Sequence, residues 1–176
     1  MATEPRPSAS VIVLRGGAAT LEVLLVQRSA AARFMPGAWV FPGGAVDPHE
    51  GGGDAAHRAA AVRELEEEAS VRLEDPAALI AFSRWITPRE LPIRFDTYFF
   101  LAALPDGARP EPDGSEIVDL AWHTPAGALA AGRRGELELF LPTVRHLEQL
   151  APFESAQALL TWAPGRTIVA TEPEPP

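Results

Sequence analysis

Cysteine and lysine are both absent from this chain of 176 residues. Without a thiol there is no disulfide framework, no thiolate zinc site and no cysteine nucleophile, which suits a reducing compartment such as the cytoplasm. Without lysine, all 15 cationic side chains are arginine, a bias that reads as a mark of G+C-rich coding more than of function. Basic charge is scarce overall, since these 15 stand against 24 Asp and Glu and leave a formal net charge of −9. The basic patch behind affinity for a long polyanion is therefore missing, and a nucleic-acid partner is not expected. No apolar run approaches the roughly 20 residues of a membrane-spanning helix, and the opening residues lack the basic start and apolar core of a signal peptide. A membrane role is not expected either.

What is present is ordinary for a folded protein, with 47% apolar and 22% charged residues. That composition supports one real core in a chain too short for two ordinary domains. Residues 1–9 read as a mobile polar segment, 10–165 as the folded domain and 166–176 as a proline-rich tail. Ser10–Leu14 and Leu21–Val26 read as a hairpin around Arg15-Gly-Gly17, followed by a loop, a short apolar piece at 39–41 and a backbone break at Pro42-Gly43-Gly44. A helix is expected from about Asp54, as N-cap, to Ser70, with Val62, Leu65 and Ala69 as its core stripe. Further strands are expected at 78–82, 97–102 and 117–122. Helices are expected at 126–131, 143–150 and 154–162, with Val144, Leu147, Leu150, Leu159 and Leu160 on apolar faces. This order predicts an α+β or layered α/β/α domain.

The informative segment is Arg63-Glu-Leu-Glu-Glu-Glu68. At about 100° per residue, Glu64, Glu67 and Glu68 share one arc of the helix while Leu65 points into the core. Like charges three and four residues apart repel, so a cation should compensate. Arg63 can pair with Glu67, but a hard divalent ion that prefers carboxylate oxygen explains all three side chains. Runs of Glu on helices are usually solvated faces. Here the helix follows Phe41-Pro-Gly-Gly44, whose glycines let backbone approach a ligand or another strand closely.

Together these residues resemble the signature of the Nudix hydrolases, which reads glycine, five residues, Glu, seven residues, Arg-Glu, an aliphatic, any residue, Glu-Glu, any residue, glycine and an aliphatic. Gly44, Glu50, Arg63, Glu64, Leu65, Glu67, Glu68 and Val71 match it. The sequence departs from the signature twice. Twelve residues separate Glu50 from Arg63, an insertion centred on the glycines at 51–53, and Ser70 stands where the family has glycine. The insertion leaves open whether Glu50 or Asp54 contacts Arg63.

The resemblance implies an α/β/α sandwich with a mixed sheet and metal-dependent hydrolysis of a phosphoanhydride in a nucleoside diphosphate linked to another moiety. It implies Mg²⁺ or Mn²⁺ held by Glu64, Glu67 and Glu68, with Arg63 positioning that face and the Gly43-Gly44 backbone contacting substrate. The family often places its general base outside this box, and Glu116 is the first candidate, its alternative being an ordinary loop residue. His57, seven residues before Glu64, is more simply a hydrogen-bonded surface residue. Gln27-Arg-Ser29, Arg33, Met35-Pro-Gly37, Trp85-Ile-Thr-Pro88, Arg94-Phe-Asp-Thr97 and Phe99-Phe100 are similar to segments of coenzyme A and acyl-coenzyme A diphosphatases, although the last residues carry no peroxisomal address. On that likeness Arg28 and Arg33 are expected to bind the ribose phosphate of coenzyme A, with Arg89 and Arg94 adding to them. The alternatives are shared scaffold serving another diphosphate, and a non-catalytic Nudix-fold module that senses a nucleotide or a protein. Family members are often homodimers, and a dimer is expected on that ground alone.

Overall fold

The computed structural model describes residues 3–175. In chain order it contains β1 (Arg6–Arg15), β2 (Glu22–Arg28), β3 (Trp39–Val40), β4 (Gly43–Ala45), α1 (Gly53–Ala69), β5 (Ile80–Ile86), β6 (Phe95–Ala103), β7 (Ile117–His123), α2 (Pro125–Arg133), α3 (Leu141–Leu150), α4 (Ala156–Trp162) and β8 (Ala170–Thr171). One mixed eight-stranded sheet runs β3-β2-β1-β6-β5-β8, with β4 added on β1 and β7 on β2. Alternation along the strands sends Ala9, Val11 and Val13 of β1 to α1, and Ile12 and Leu14 to the three later helices. Each face buries its own apolar cluster, so the layers are helix, sheet, helices, as expected for an α/β/α sandwich.

The long strand β1 organises the site. It pairs in parallel with β6 from Arg6 to Leu14. On its other edge, Ser8, Ala9 and Ser10 face β4, whereas Leu14 and Arg15 face β2 in the expected hairpin. The sheet thus forks along this edge, and Pro42 turns the chain between the prongs, its carbonyl accepting from Val11 N at 2.8 Å.

Several boundaries differ from the expectations. β1 begins at Arg6, within the segment expected to be mobile; Ser8 and Ala9 are buried because β4 and β6 flank them, while residues 1 and 2 lie outside the described range. Helix α1 begins at Gly53 with Gly52 as N-cap, and Asp54, in the first turn, pairs with Arg58 at 2.6 Å. Its buried stripe is mostly alanine, Ala56, Ala60, Ala61 and Ala69 around Leu65, which lets the helix sit close on β1. Val62 is only partly buried. Within the expected tail, Ala170 and Thr171 pair in parallel with Arg84 and Trp85 of β5; Pro176 lies outside the described residues. No helix among the described residues is long and apolar enough to cross a membrane.

Candidate active site

Helix α1 lies across β4, β1 and β6 and brings its acidic face down on the glycine strand. Gly43 N donates to Glu68 Oε2 at 2.9 Å. A Cβ on Gly44 would overlap the Glu64 carboxylate, and one on Gly43 would overlap the Ala9 carbonyl and the Ser10 hydroxyl. Both glycines are therefore needed for close approach: Gly43 to β1 and Gly44 to the carboxylate of α1.

Arg63 braces this face. Its Nε and Nη2 reach the two carboxylate oxygens of Glu50 at 2.8 and 3.3 Å, Nη1 reaches Glu64 at 2.9 Å and Glu67 at 3.2 Å, and Nη2 also donates to the Ala45 carbonyl at 3.0 Å. Glu50 is thus the partner of Arg63 and Asp54 is not; the glycines at 51–53 loop out and return the chain to α1. Asp47, His49 and Glu50 have ligand atoms within 4.8 Å of one another. Since Arg63 already neutralises Glu50 and comes within 3.5 Å of Asp47, this cluster needs no metal to explain it.

The three helix carboxylates differ in environment. Glu67 is open to solvent, with 59% of its side chain exposed. Glu64 is mostly enclosed, and burial raises its pKa despite the opposing pull of Arg63. Glu68 is 4% exposed. Burial, opposed by its bond to Gly43 N and helped by the charges of Glu64 and Glu116, pushes its pKa up to about 8. A buried carboxylate with one backbone donor, beside a second carboxylate, is underneutralised, and it would take up either a proton or a cation. The all-oxygen donor set fits a hard divalent ion.

The other candidates divide. Glu116 is exposed before β7, its carbonyl accepting from Ser29 N at 2.8 Å, and its charge is felt by both Glu64 and Glu68. Arg28 ends β2, donates Nε to the Phe34 carbonyl at 2.9 Å, and its charge also acts on Glu68. These two residues are therefore brought to the acidic face from β2 and β7, which pair with each other. Arg33 is exposed in the loop after Arg28. His57 is not with the carboxylates: its Nδ1 bonds the Gly53 carbonyl at 2.8 Å and its ring packs on Tyr98 of β6, two strands from Gly44. Arg94 is buried, with its nitrogens bonded to Thr87, Thr3 and Glu172. A substrate phosphate would have to displace those partners, so the expectation for Arg94 is corrected. Arg89 is exposed, 3.7 Å from Glu172. The link from Arg63 to the Ala45 carbonyl escaped sequence reasoning, since no spacing signals it.

Comparison with known proteins bears on the family and the fold. Residues 4–143 match the NUDIX domain family. A Caenorhabditis elegans protein designated nudix hydrolase 7, whose name marks the activity as unproven, is 29% identical over 83% of this chain and 60% of its own length. The human acyl-coenzyme A diphosphatase NUDT19 is 34% identical over 97 residues, 54% of this chain and 26% of its own length. This chain thus spans less than two thirds of either curated relative. The crystal structure of a NUDIX hydrolase from Alicyclobacillus acidocaldarius superposes with a TM-score of 0.80 at 26% identity, covering 92% of this chain and 98% of that one. With the family matched across most of the chain, the fold shared and the acidic helix set on the glycine strand, the chain belongs to the Nudix hydrolase family.

Proposed function

We propose that the protein is a metal-dependent diphosphatase that hydrolyses the phosphoanhydride of a nucleoside diphosphate linked to a second moiety. The observation that carries this is the seating of Glu64 and Glu68 against Gly43 and Gly44, with Arg63 bracing the same face. Glu64, Glu67 and Glu68 would hold the ion, Mg²⁺ or Mn²⁺. Bound there, a divalent ion supplies charge neutralisation for the diphosphate and a water of lowered pKa. Arg63 pairs with Glu64 and Glu67 and orients them, and the Gly43-Gly44 backbone, set against the carboxylates of α1, is the proposed substrate contact. Glu116, exposed before β7, is the proposed base that takes the proton from the attacking water at a carboxylate oxygen.

Coenzyme A or an acyl-coenzyme A is the proposed substrate, supported by the similarity of the segments at 27–44 and 85–100 and by the partial match to the human acyl-coenzyme A diphosphatase. Arg28 and Arg33 are proposed to contact its ribose phosphate. A cytoplasmic setting and a homodimer complete the proposal. Charge-assisted hydrogen bonds are worth about 1.5–3 kcal/mol, so losing one should lower kcat/KM for coenzyme A by roughly 10- to 150-fold. The test compares coenzyme A with its 3′-dephospho form in the parent, Arg28→Ala and Arg33→Ala. A parent indifferent to the phosphate would remove the Arg contacts, and a strongly preferred nucleotide sugar would replace the substrate while keeping the chemistry.

A further inference from the structure

Arg94 is one of the few buried charged residues, 7% exposed, and no catalytic task falls to it. Its guanidinium joins three separate segments: Nε donates to the Thr87 carbonyl at 3.0 Å, Nη1 to the Thr3 carbonyl at 2.7 Å and Nη2 to Glu172 Oε1 at 3.4 Å. Glu172 follows β8, which has just two residues, both exposed, on the edge of β5. So small a strand is weakly held by its ladder alone. A buried guanidinium without a counterion is costly, so the ion pair both fixes the tail and keeps Arg94 turned inward.

The clasp reaches towards the acidic face. Thr87 closes the turn at 87–95, its N donating to the Phe95 carbonyl at 2.9 Å and its Oγ1 accepting from Phe95 N at 3.0 Å. Phe95 packs against Phe34 with ring centres 5.5 Å apart. The Phe34 carbonyl in turn accepts from Arg28. Contacts therefore run without a gap from the C-terminal segment to the loop that borders the proposed substrate, by a path separate from the Arg63 brace.

We propose that Arg94 and Glu172 are positioning residues: their clasp holds the 87–95 turn, and through Phe95 and Phe34 the Arg28 loop, in the arrangement that a substrate meets. Because the clasp bypasses the carboxylates of α1, it governs substrate fit and leaves turnover of bound substrate alone.

Hydrogen exchange of the full chain tests this without any substrate. Replacing the surface carboxylate, Glu172→Ala, should speed amide exchange at least about fivefold over both 87–95 and 29–37 while α1 keeps its parent protection. The charge-keeping Glu172→Asp should fall between. In steady-state assays, an arm that rests on the proposed diphosphatase activity, Glu172→Ala should raise KM about 3- to 10-fold and hold kcat within about twofold. Loosening confined to 168–173 would overturn the proposal. So would a uniform rise that includes α1, which reports lost global stability, or a fall in kcat at unchanged KM.

Discussion

Glu68 is the side chain on which most of the proposed chemistry rests, because it is the most buried carboxylate of α1 and is held by Gly43 N. Glu68→Gln keeps the shape and an acceptor for that N–H while removing the charge, so the fold should persist while turnover drops on the order of 10²- to 10³-fold. Circular dichroism beside the assay separates the two effects. Gly44→Ala should also reduce turnover, since the new methyl would push Glu64 aside; activity at the parent level would mean that Glu64 is not needed where it stands. His146 offers a different test. It is fully buried among Phe41, Trp85 and Phe99, bonded to Ser83 Oγ and to the Pro142 carbonyl, and burial lowers its pKa to about 4. Between that value and the ordinary 6.5, the unfolded chain binds the proton and the folded chain does not. Stability from this residue is thus complete above about pH 6.5 and declines by up to about 3 kcal/mol as pH falls to 4. Urea unfolding at pH 7 and pH 5 should show a loss in the parent that is smaller in His146→Phe; equal losses would refute the assignment.

At the scale of the element, α1 shows what the sequence discloses and what it withholds. The face shared by Glu64, Glu67 and Glu68 was legible because helical periodicity fixes angles within one element. So was the packing of Leu65, Leu147, Leu150 and Leu159. The helix start was not, because Gly52 and Asp54 are both acceptable N-caps and tertiary contacts choose between them. Nor was the partner of Arg63, which depends on how a glycine insertion folds back, nor the fate of Arg94, since a guanidinium that binds a ligand and one that ties segments together look alike in sequence. β8 was hidden because two residues carry no periodicity. The end of α1 yields a prediction of its own. Ser70 caps it at φ 56°, in the left-handed region where a Cβ is strained. Ser70→Gly should relieve that strain and stabilise by about 0.5–1 kcal/mol, raising Tm by about 1–4 °C; a lower Tm would show that the serine side chain earns its place through another contact.

For the whole molecule, the two faces of the sheet have separate tasks. Helices α2, α3 and α4 bury one apolar cluster and complete the scaffold, while α1 packs on the other face, together with loop residues such as Val71 and Leu79, and carries the carboxylates. An ion bound only by the folded protein would shift unfolding by mass action, so millimolar Mg²⁺ or Mn²⁺ should raise Tm in the parent and not in Glu68→Gln. The central claim, that the α1 carboxylates form a metal-dependent centre for hydrolysing diphosphates, meets its most direct test in one measurement. Product formation from a panel of coenzyme A species, nucleotide sugars and dinucleotides is followed with Mg²⁺ or Mn²⁺, with chelator, and in Glu68→Gln. The expected result is cleavage at the diphosphate that requires the added ion and falls on the order of 10²- to 10³-fold in the variant. Cleavage that survives both the chelator and the substitution, or no cleavage of any diphosphate by folded, metal-supplied protein, would contradict it.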